Sequence, residues 1–156
     1  MIRAAVALAV CAALAAPIAF AQPVAPVMQR VQAEKQPFLD TLKELTSIES
    51  GSRDFEGVEK ISEVIAGKLR ALGGQVDLVE PAEVYRMEDT PEKIGRAVRA
   101  TFKGKGTKKI LLLAHSDTVY AKGMGEKQPF RIDGDKAYGL GIADDKQNED
   151  IIILSV

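Results

Sequence analysis

An α/β fold, in which helices pack on a mixed β-sheet, is the class that this sequence predicts. Segments 37–48 and 58–72 repeat apolar residues at helical spacing, and segment 75–80 alternates apolar with polar residues, as half-buried strands do. Segment 97–102 predicts a second strand. A further apolar run, 110–114, is continuous, which is typical of a strand covered on both faces. This order of elements favours a sheet with helices packed on it.

The first helix is predicted from Phe38, Leu42, Leu45 and Ile48, which recur at helical spacing and so share one face. The proline-containing stretch before it, 22–36, is interpreted as a leader into the fold. The turn at 50–54 ends in a residue, Asp54, that can cap the next helix.

The second helix has the clearest pattern in the chain. Glycines at 73 and 74 end it, because glycine adopts the left-handed C-terminal conformation at little cost. We expect core packing, and no other role, for its apolar face, which consists of Val58, Ile61, Val64, Ile65, Leu69 and Leu72. The lysine-rich segment 103–109, which lies between the last two strands, is interpreted as a solvated turn.

Composition limits the chain to one ordinary globular domain. Its 156 residues are 46% hydrophobic, and 21 Lys and Arg balance 22 Asp and Glu. The two signs of charge are interspersed along the sequence. A protein that binds nucleic acid or another polyanion would instead show a basic stripe, so this class is excluded.

Residues 1–21 predict a cleaved signal peptide. Arg3 supplies the positive start, residues 4–20 form an almost unbroken apolar run, and Ala19 and Ala21 occupy the positions that a signal peptidase reads. Cleavage is expected before Gln22, and export to the periplasm or the medium follows. The alternative is a membrane anchor, although the run is at the short limit for spanning a bilayer. The only cysteine, Cys11, lies inside this segment, so no disulfide or thiol chemistry is expected in the mature chain.

Directly after the apolar run 110–114, the sequence carries a His-x-Asp motif. His115 is the only histidine in the chain, and Asp117 follows it by two positions, so in extended backbone both side chains project to the same side. The predicted place is the C-terminal end of a strand, where open α/β sheets bind ligands. A carboxylate at that distance suits a metal-bound histidine, whose second nitrogen needs a partner. Alone, such a motif is more often a local hydrogen-bonded pair.

A second segment makes the pattern specific. His-Ser-Asp-Thr-Val at 115–119, followed by Gly-Leu-Gly-Ile-Ala-Asp-Asp-Lys at 139–146, resembles the bacterial glutamate carboxypeptidases. These belong to a wider group of zinc exopeptidases that includes aminoacylases, succinyl-diaminopimelate desuccinylases and acetylornithine deacetylases. The resemblance covers roughly residues 37–146, including 45–52 and Pro-Phe-Arg at 129–131. It implies that residues 37–156 are the N-terminal portion of a metallopeptidase catalytic domain.

The resemblance also implies roles for three residues. His115 would be a zinc ligand through a neutral imidazole nitrogen, and Asp144 would bridge two zinc ions. Asp117 would be the catalytic residue that orients His115. The peptide bond after Asp144 would be cis. The implied reaction is attack of a zinc-activated water on the amide of a C-terminal glutamate or another N-acyl amino acid.

The sequence departs from this family in what it lacks. A Glu-Glu pair, a further acidic ligand and a distant second histidine follow the Asp-Asp-Lys motif in the family, as does the domain through which its members often form homodimers. Only ten residues follow Lys146 here, and Glu149 matches none of the missing groups. We therefore expect a truncated chain that is inactive alone. The alternative is a non-catalytic fragment or binding remnant of the same fold.

Two other readings of these motifs fail. The glycines at 139 and 141 imitate a dinucleotide fingerprint, but Asp144 stands where its third glycine belongs and would place a negative charge beside the pyrophosphate. A serine triad is excluded by geometry. Ser116 and His115 are adjacent in extended backbone and face opposite ways, so they cannot act together as nucleophile and base.

Overall fold

The computed structural model describes residues 24–156. The predicted signal segment and Cys11 lie outside these residues. The chain divides into two units between Ala33 and Glu34, and the packing described below belongs to the second unit, Glu34–Val156. None of the helices in the described part of the chain has both the length and the apolar character that crossing a bilayer requires.

Helix α1, Ala25–Thr46, covers most of the predicted first helix, but it begins twelve residues earlier and ends two residues sooner. Much of the segment interpreted as a leader is therefore helical. The Gln, Arg, Glu and Lys residues of that segment are good helix formers. They are exposed on all sides, so the segment has no apolar stripe from which a helix could be predicted. Pro37 is accommodated inside the helix. The last two turns carry the buried face, with Leu42 and Leu45 almost inaccessible to solvent.

Helix α2, Phe55–Ala71, confirms the second predicted helix and its cap. The Asp54 side chain accepts a hydrogen bond of 3.2 Å from the backbone N–H of Gly57, which satisfies one of the free donors of the first turn. The helix ends at Gly73, whose φ of 89° lies in the left-handed region. The next N–H, that of Gly74, then donates to the Leu69 carbonyl at 3.0 Å.

The two predicted strands form an antiparallel ribbon that packs on α2. Strand β1, Gln75–Val79, pairs with β2, Ala97–Thr101. Arg96, just before β2, is fastened to α2, because its guanidinium and its backbone N–H both donate to the Glu59 carboxylate. The hydrophobic core lies between these elements, and its buried members are Leu45, Ile48, Ile61, Ile65, Leu69 and Ile153.

Segment 110–114 corrects the prediction of a strand covered on both faces. It belongs to neither of the sheets found in residues 24–156. Its apolar side chains are exposed, with Ile110 at 83% and Leu113 at 80%. An apolar run becomes a buried strand only where neighbouring strands pair with its backbone and other elements cover its faces. The described residues supply neither for this segment.

The rest of the chain carries a small ribbon and a turn that leads into the last helix. Strands β3, Arg131–Asp133, and β4, Lys136–Tyr138, pair antiparallel. A wide turn, Ile142–Lys146, follows, and helix α3, Gln147–Ser155, continues from it. The described chain thus combines helices with small antiparallel sheets, and α2 packs on the first of them, which confirms the predicted α/β class.

Candidate functional site

The backbone that carries His115 is held by the turn after α1. Thr118 forms an isolated parallel bridge with Gly51. The N–H of Thr118 donates to the Ser50 carbonyl at 2.8 Å, and the N–H of Ser52 donates to the Thr118 carbonyl at 2.9 Å. The Ser50 hydroxyl donates to the Ser116 carbonyl at 2.7 Å. Extended backbone from 115 to 118 is thereby fixed, and the two side chains of the His-x-Asp motif lie close to each other.

His115 lies between two carboxylates. Its Nδ1 is 3.3 Å from Asp117 Oδ1 and 3.1 Å from the Asp117 carbonyl oxygen. Its Nε2 is 3.0 Å from Asp144 Oδ1. The structure therefore brings together all three site residues that the sequence singled out. Each ring nitrogen faces a different acidic residue, and the whole group is open to solvent, since the imidazole is 52% exposed.

The electrostatic environment of His115 contains opposing effects. Partial burial by itself lowers the pKa of the imidazole, because it disfavours the charged form. The hydrogen bond to Asp144 and the contacts with Asp117 outweigh it, so the pKa lies above its ordinary value. Asp117 accepts at Nδ1, so Nε2 and the Asp144 carboxylate together can bind a cation, either a proton or a metal ion.

The turn that presents Asp144 depends on glycine. Gly141 has a φ of 68°, and a Cβ at this position would collide with the Thr118 side chain. The N–H groups of Asp144 and Lys146 both return to the Gly141 carbonyl, at 3.3 and 3.1 Å. The Asp144–Asp145 peptide bond is cis, as the resemblance implied. Asp145 turns back toward the other loop, where its Oδ2 accepts from the His115 N–H at 3.3 Å.

Lys146 is buried directly behind the site. Its side chain is 1% exposed, and its Nζ donates to the carbonyls of Leu45 and Ile48 at 2.9 and 2.6 Å. Carbonyls at the end of a helix lack intrahelical partners, so the ammonium group satisfies the C-terminus of α1. Burial lowers the pKa of Lys146 to about 8, against the opposing charges of Glu149 and Glu49.

The donor atoms at the site fit part of a metal centre. Zinc binds imidazole nitrogen and carboxylate oxygen at about 2.0–2.2 Å, so His115 Nε2 and Asp144 Oδ1 can ligate the same ion. Within residues 24–156, however, no group of three or more His, Cys, Asp or Glu side chains is arranged to hold a metal ion. The described residues therefore offer two donors of a site that requires more. The role of His115 and Asp144 as ligands stays a prediction.

Two acidic residues near the site were not anticipated from the sequence. Glu149 and Asp150, in the first turn of α3, are buried, and Glu149 lines the same cleft of about 930 Å³ as His115 and Asp117. Burial raises the pKa of Glu149 to about 8, although the Lys146 charge opposes the rise. Both acids precede the core residue Ile153 by three or four positions and therefore share its face. That spacing was the available signal.

The chain is similar to two amide-cleaving enzymes. It is 37% identical over 152 residues, 97% of its length, to carboxypeptidase G2 of Pseudomonas sp. (strain RS-16). It is 27% identical over 117 residues, 70% of its length, to acetylornithine deacetylase of Photorhabdus laumondii. These matches cover 35% and 28% of the two enzymes, so the chain spans about a third of their length. No family model matches the chain.

Proposed function

We propose a function from the premise that this chain belongs to the family of carboxypeptidase G2 and acetylornithine deacetylase. The family is one of hydrolases. The proposed activity is zinc-dependent hydrolysis of the amide bond of an N-acyl amino acid, with a C-terminal glutamate as the favoured leaving residue. His115, Asp117 and Asp144 are this chain's contribution to the site.

One observation carries the proposal, namely the imidazole held between two carboxylates. Asp144 Oδ1 lies 3.0 Å from Nε2, so both atoms can contact one cation. Asp117 lies on the opposite side of the ring, where it fixes which nitrogen carries a proton and which is free to bind. Asp145, whose Oδ2 accepts from the His115 N–H, places a further carboxylate beside the site. This arrangement favours a divalent cation over an anion.

A bound zinc ion would supply a water of lowered pKa and would polarise the amide carbonyl. The residues of this chain have narrower tasks. His115 offers a neutral nitrogen, Asp117 keeps the ring oriented, and Asp144 offers an oxygen next to that nitrogen. The proton-accepting carboxylate of the reaction and the further ligands are proposed to belong to the part of the family's length that this chain does not span.

The remaining features of the proposal concern location and assembly. We propose that the chain is exported, because residues 1–21 have the pattern of a cleaved signal. The partner is a small peptide or N-acyl amino acid, and neither nucleic acid nor a membrane is involved. Homodimers are proposed for the full length of the family, through a domain outside the segment matched here.

Metal binding tests this function most directly. Zinc is titrated into the metal-free chain by calorimetry, in parallel with His115→Ala, Asp144→Asn and, as a matched control, Asp133→Asn, an exposed carboxylate on β3. Because the described residues supply two donors, we expect weak zinc binding by the unaltered chain and the control, and loss of that binding in the two site variants. Asp117→Asn should weaken binding by about 10–100-fold, the usual effect of removing a group that orients a histidine ligand.

Release of free glutamate from an N-acyl glutamate, measured with and without zinc, then separates catalysis from binding. Zinc-dependent release that His115→Ala abolishes would support the enzyme reading for this chain. Zinc binding without release would favour the non-catalytic alternative, which the absence of a third donor in residues 24–156 already motivates. An unaltered chain that binds no zinc would refute the proposed site.

A further inference from the structure

The two donors of the proposed site lie on loops far apart in sequence, and one short segment contacts both. This segment is residues 45–52, named here the α1 turn. His115 belongs to the loop 115–118, and Asp144 belongs to the turn Ile142–Lys146. The relative position of the two donors therefore depends on what connects these loops.

The α1 turn holds the His115 loop through its second half. The Ser50 hydroxyl donates to the Ser116 carbonyl at 2.7 Å, and the Ser50 backbone carbonyl accepts from the Thr118 N–H at 2.8 Å. Ser52 donates from its backbone to the Thr118 carbonyl, and its hydroxyl donates to the same oxygen at 3.1 Å. Ser50 is 1% exposed, so water competes little for these bonds.

The α1 turn holds the Asp144 loop through its first half. Lys146 reaches the Leu45 and Ile48 carbonyls with a buried ammonium group, two residues after Asp144. Hydrogen bonds from a charged donor are stronger than neutral ones, and a buried charge that loses them is costly. The turn that presents Asp144 is therefore bound to the same eight-residue segment, the α1 turn, that binds the His115 loop.

A third contact extends this arrangement. The Glu49 carboxylate, in the middle of the α1 turn, accepts from the N–H groups of Gly123 and Gly125 at 2.9 and 2.6 Å. These bonds hold the pKa of Glu49 below its usual range. The chain that leaves the His115 loop is thus bound to the α1 turn as well.

Direct contacts between the two loops are weaker. His115 N–H to Asp145 and His115 Nε2 to Asp144 are exposed, and exposed polar contacts contribute little to holding a geometry in water. Gly141 touches the Thr118 side chain, which limits how closely the loops approach but does not hold them together. The buried bonds to the α1 turn are the stronger constraint.

We propose that the α1 turn sets the distance between His115 Nε2 and Asp144 Oδ1, with Ser50 and Lys146 as positioning residues that act on the two donors from opposite loops. This inference rests on the proposed function, because the distance matters for a shared cation. The α1 turn is also one of the segments that resemble the family, and its contacts offer a physical reason for that resemblance.

The test compares Ser50→Ala, Lys146→Met and the double variant. Methionine keeps the length of the lysine side chain and removes its donors. Ile61→Ala serves as the matched control, since Ile61 is fully buried in the core and its apolar side chain forms no hydrogen bond with either loop. Urea unfolding ranks the variants by stability, so that the control shows what a loss of core packing does while the hydrogen bonds of the α1 turn are kept.

Two readouts report on the site itself. The first is the long-range ¹H–¹⁵N spectrum of the metal-free chain, which isolates the ring nitrogens of His115 because the chain has no other histidine. The second is zinc affinity by calorimetry. We expect both single variants to move the Nε2 resonance toward that of a free imidazole and to weaken zinc binding by about tenfold. The double variant should lose less than the two losses combined, because either change already releases the same distance.

The inference is overturned if Ser50→Ala and Lys146→Met behave like Ile61→Ala, with lower stability but the Nε2 resonance and zinc affinity of the unaltered chain. Should Lys146→Met fail to fold, Ser50→Ala alone decides the matter. If the unaltered chain binds no zinc, the proposed function fails, and the spectrum of the metal-free chain still decides whether the α1 turn positions His115.

Discussion

Asp150 is a buried acidic residue whose removal should stabilise this chain. It is 0% exposed, and neither of its carboxylate oxygens has a hydrogen-bond partner among residues 24–156. Burial raises the pKa of Asp150 to about 7, against the weaker opposing effects of the Lys68 charge and of the Leu42 backbone N–H. A carboxylate in such a place is stabilising only when it is protonated, so at neutral pH it opposes folding.

The size of the effect follows from the pKa. A rise from 3.8 to about 7, at about 1.4 kcal/mol per unit, corresponds to a penalty of about 4 kcal/mol for the ionised form. Asp150 lies in the first turn of α3, where the helix dipole returns about 0.3–1 kcal/mol to a negative charge. The small cavity left by Asp150→Ala costs about 1 kcal/mol. Desolvation therefore dominates, and the variant should gain about 2–3 kcal/mol in the free energy of unfolding at about pH 8.

The sign of the pH dependence is fixed by the same shift. Because folding raises the pKa of Asp150, its penalty is absent below the unfolded value, grows as the pH rises toward about 7, and is constant above that. The unaltered chain should lose stability across this window, and Asp150→Ala should remove that part of the loss. Glu149, whose pKa is about 8, contributes a separate loss that the variant keeps.

Urea unfolding at about pH 5 and about pH 8 tests this reasoning. Far-UV circular dichroism is the suitable signal, since the chain has no tryptophan. Asp150→Asn removes the charge but keeps a polar side chain, and Asp133→Ala on the exposed strand β3 should change stability by no more than about 0.5 kcal/mol. A variant that is less stable than the unaltered chain, with an unchanged pH profile, would show that the carboxylate is hydrated or paired and would refute the argument.

Two further predictions follow from other parts of the chain. Gly141→Ala should lower the free energy of unfolding by more than about 1 kcal/mol in urea titrations, because alanine is strained at a φ of 68° and its Cβ meets the Thr118 side chain; a neutral change would contradict the described turn. The exported chain should begin at Gln22 in mass spectra of periplasm or medium, and a chain that keeps residues 1–21 in the membrane fraction would favour the anchor alternative.

Local features of the fold were predictable from the sequence, and features that depend on distant partners were not. Helix α2 is predicted by local signals alone: Asp54 caps its start, an apolar stripe marks its buried face, and Gly73 follows its end. Segment 110–114 has an equally clear apolar pattern, but its burial depends on neighbours that its own sequence does not encode. The pattern therefore predicted a covered strand, whereas the structure shows neither strand pairing nor burial there.

The site shows the same division. The resemblance named His115, Asp117 and Asp144, and the structure brings these three together. Lys146 was quoted only as part of a motif, and its contact with the end of α1 spans about a hundred positions, beyond the reach of any local pattern. Glu149 matches none of the family's missing groups, and Asp150 was not singled out from the sequence. Both are buried because they share the face of α3 that carries Ile153.

The exposed run 110–114 leads without interruption into the histidine. Its backbone donors and acceptors lie outside both sheets of the described chain, and its side chains are apolar on either face. Any strand that paired with this edge would also restrain the residue that follows it. Pairing of this segment would therefore cover its exposed apolar side chains and restrain His115 at the same time. Solubility and the order of the site would then depend on the same contact.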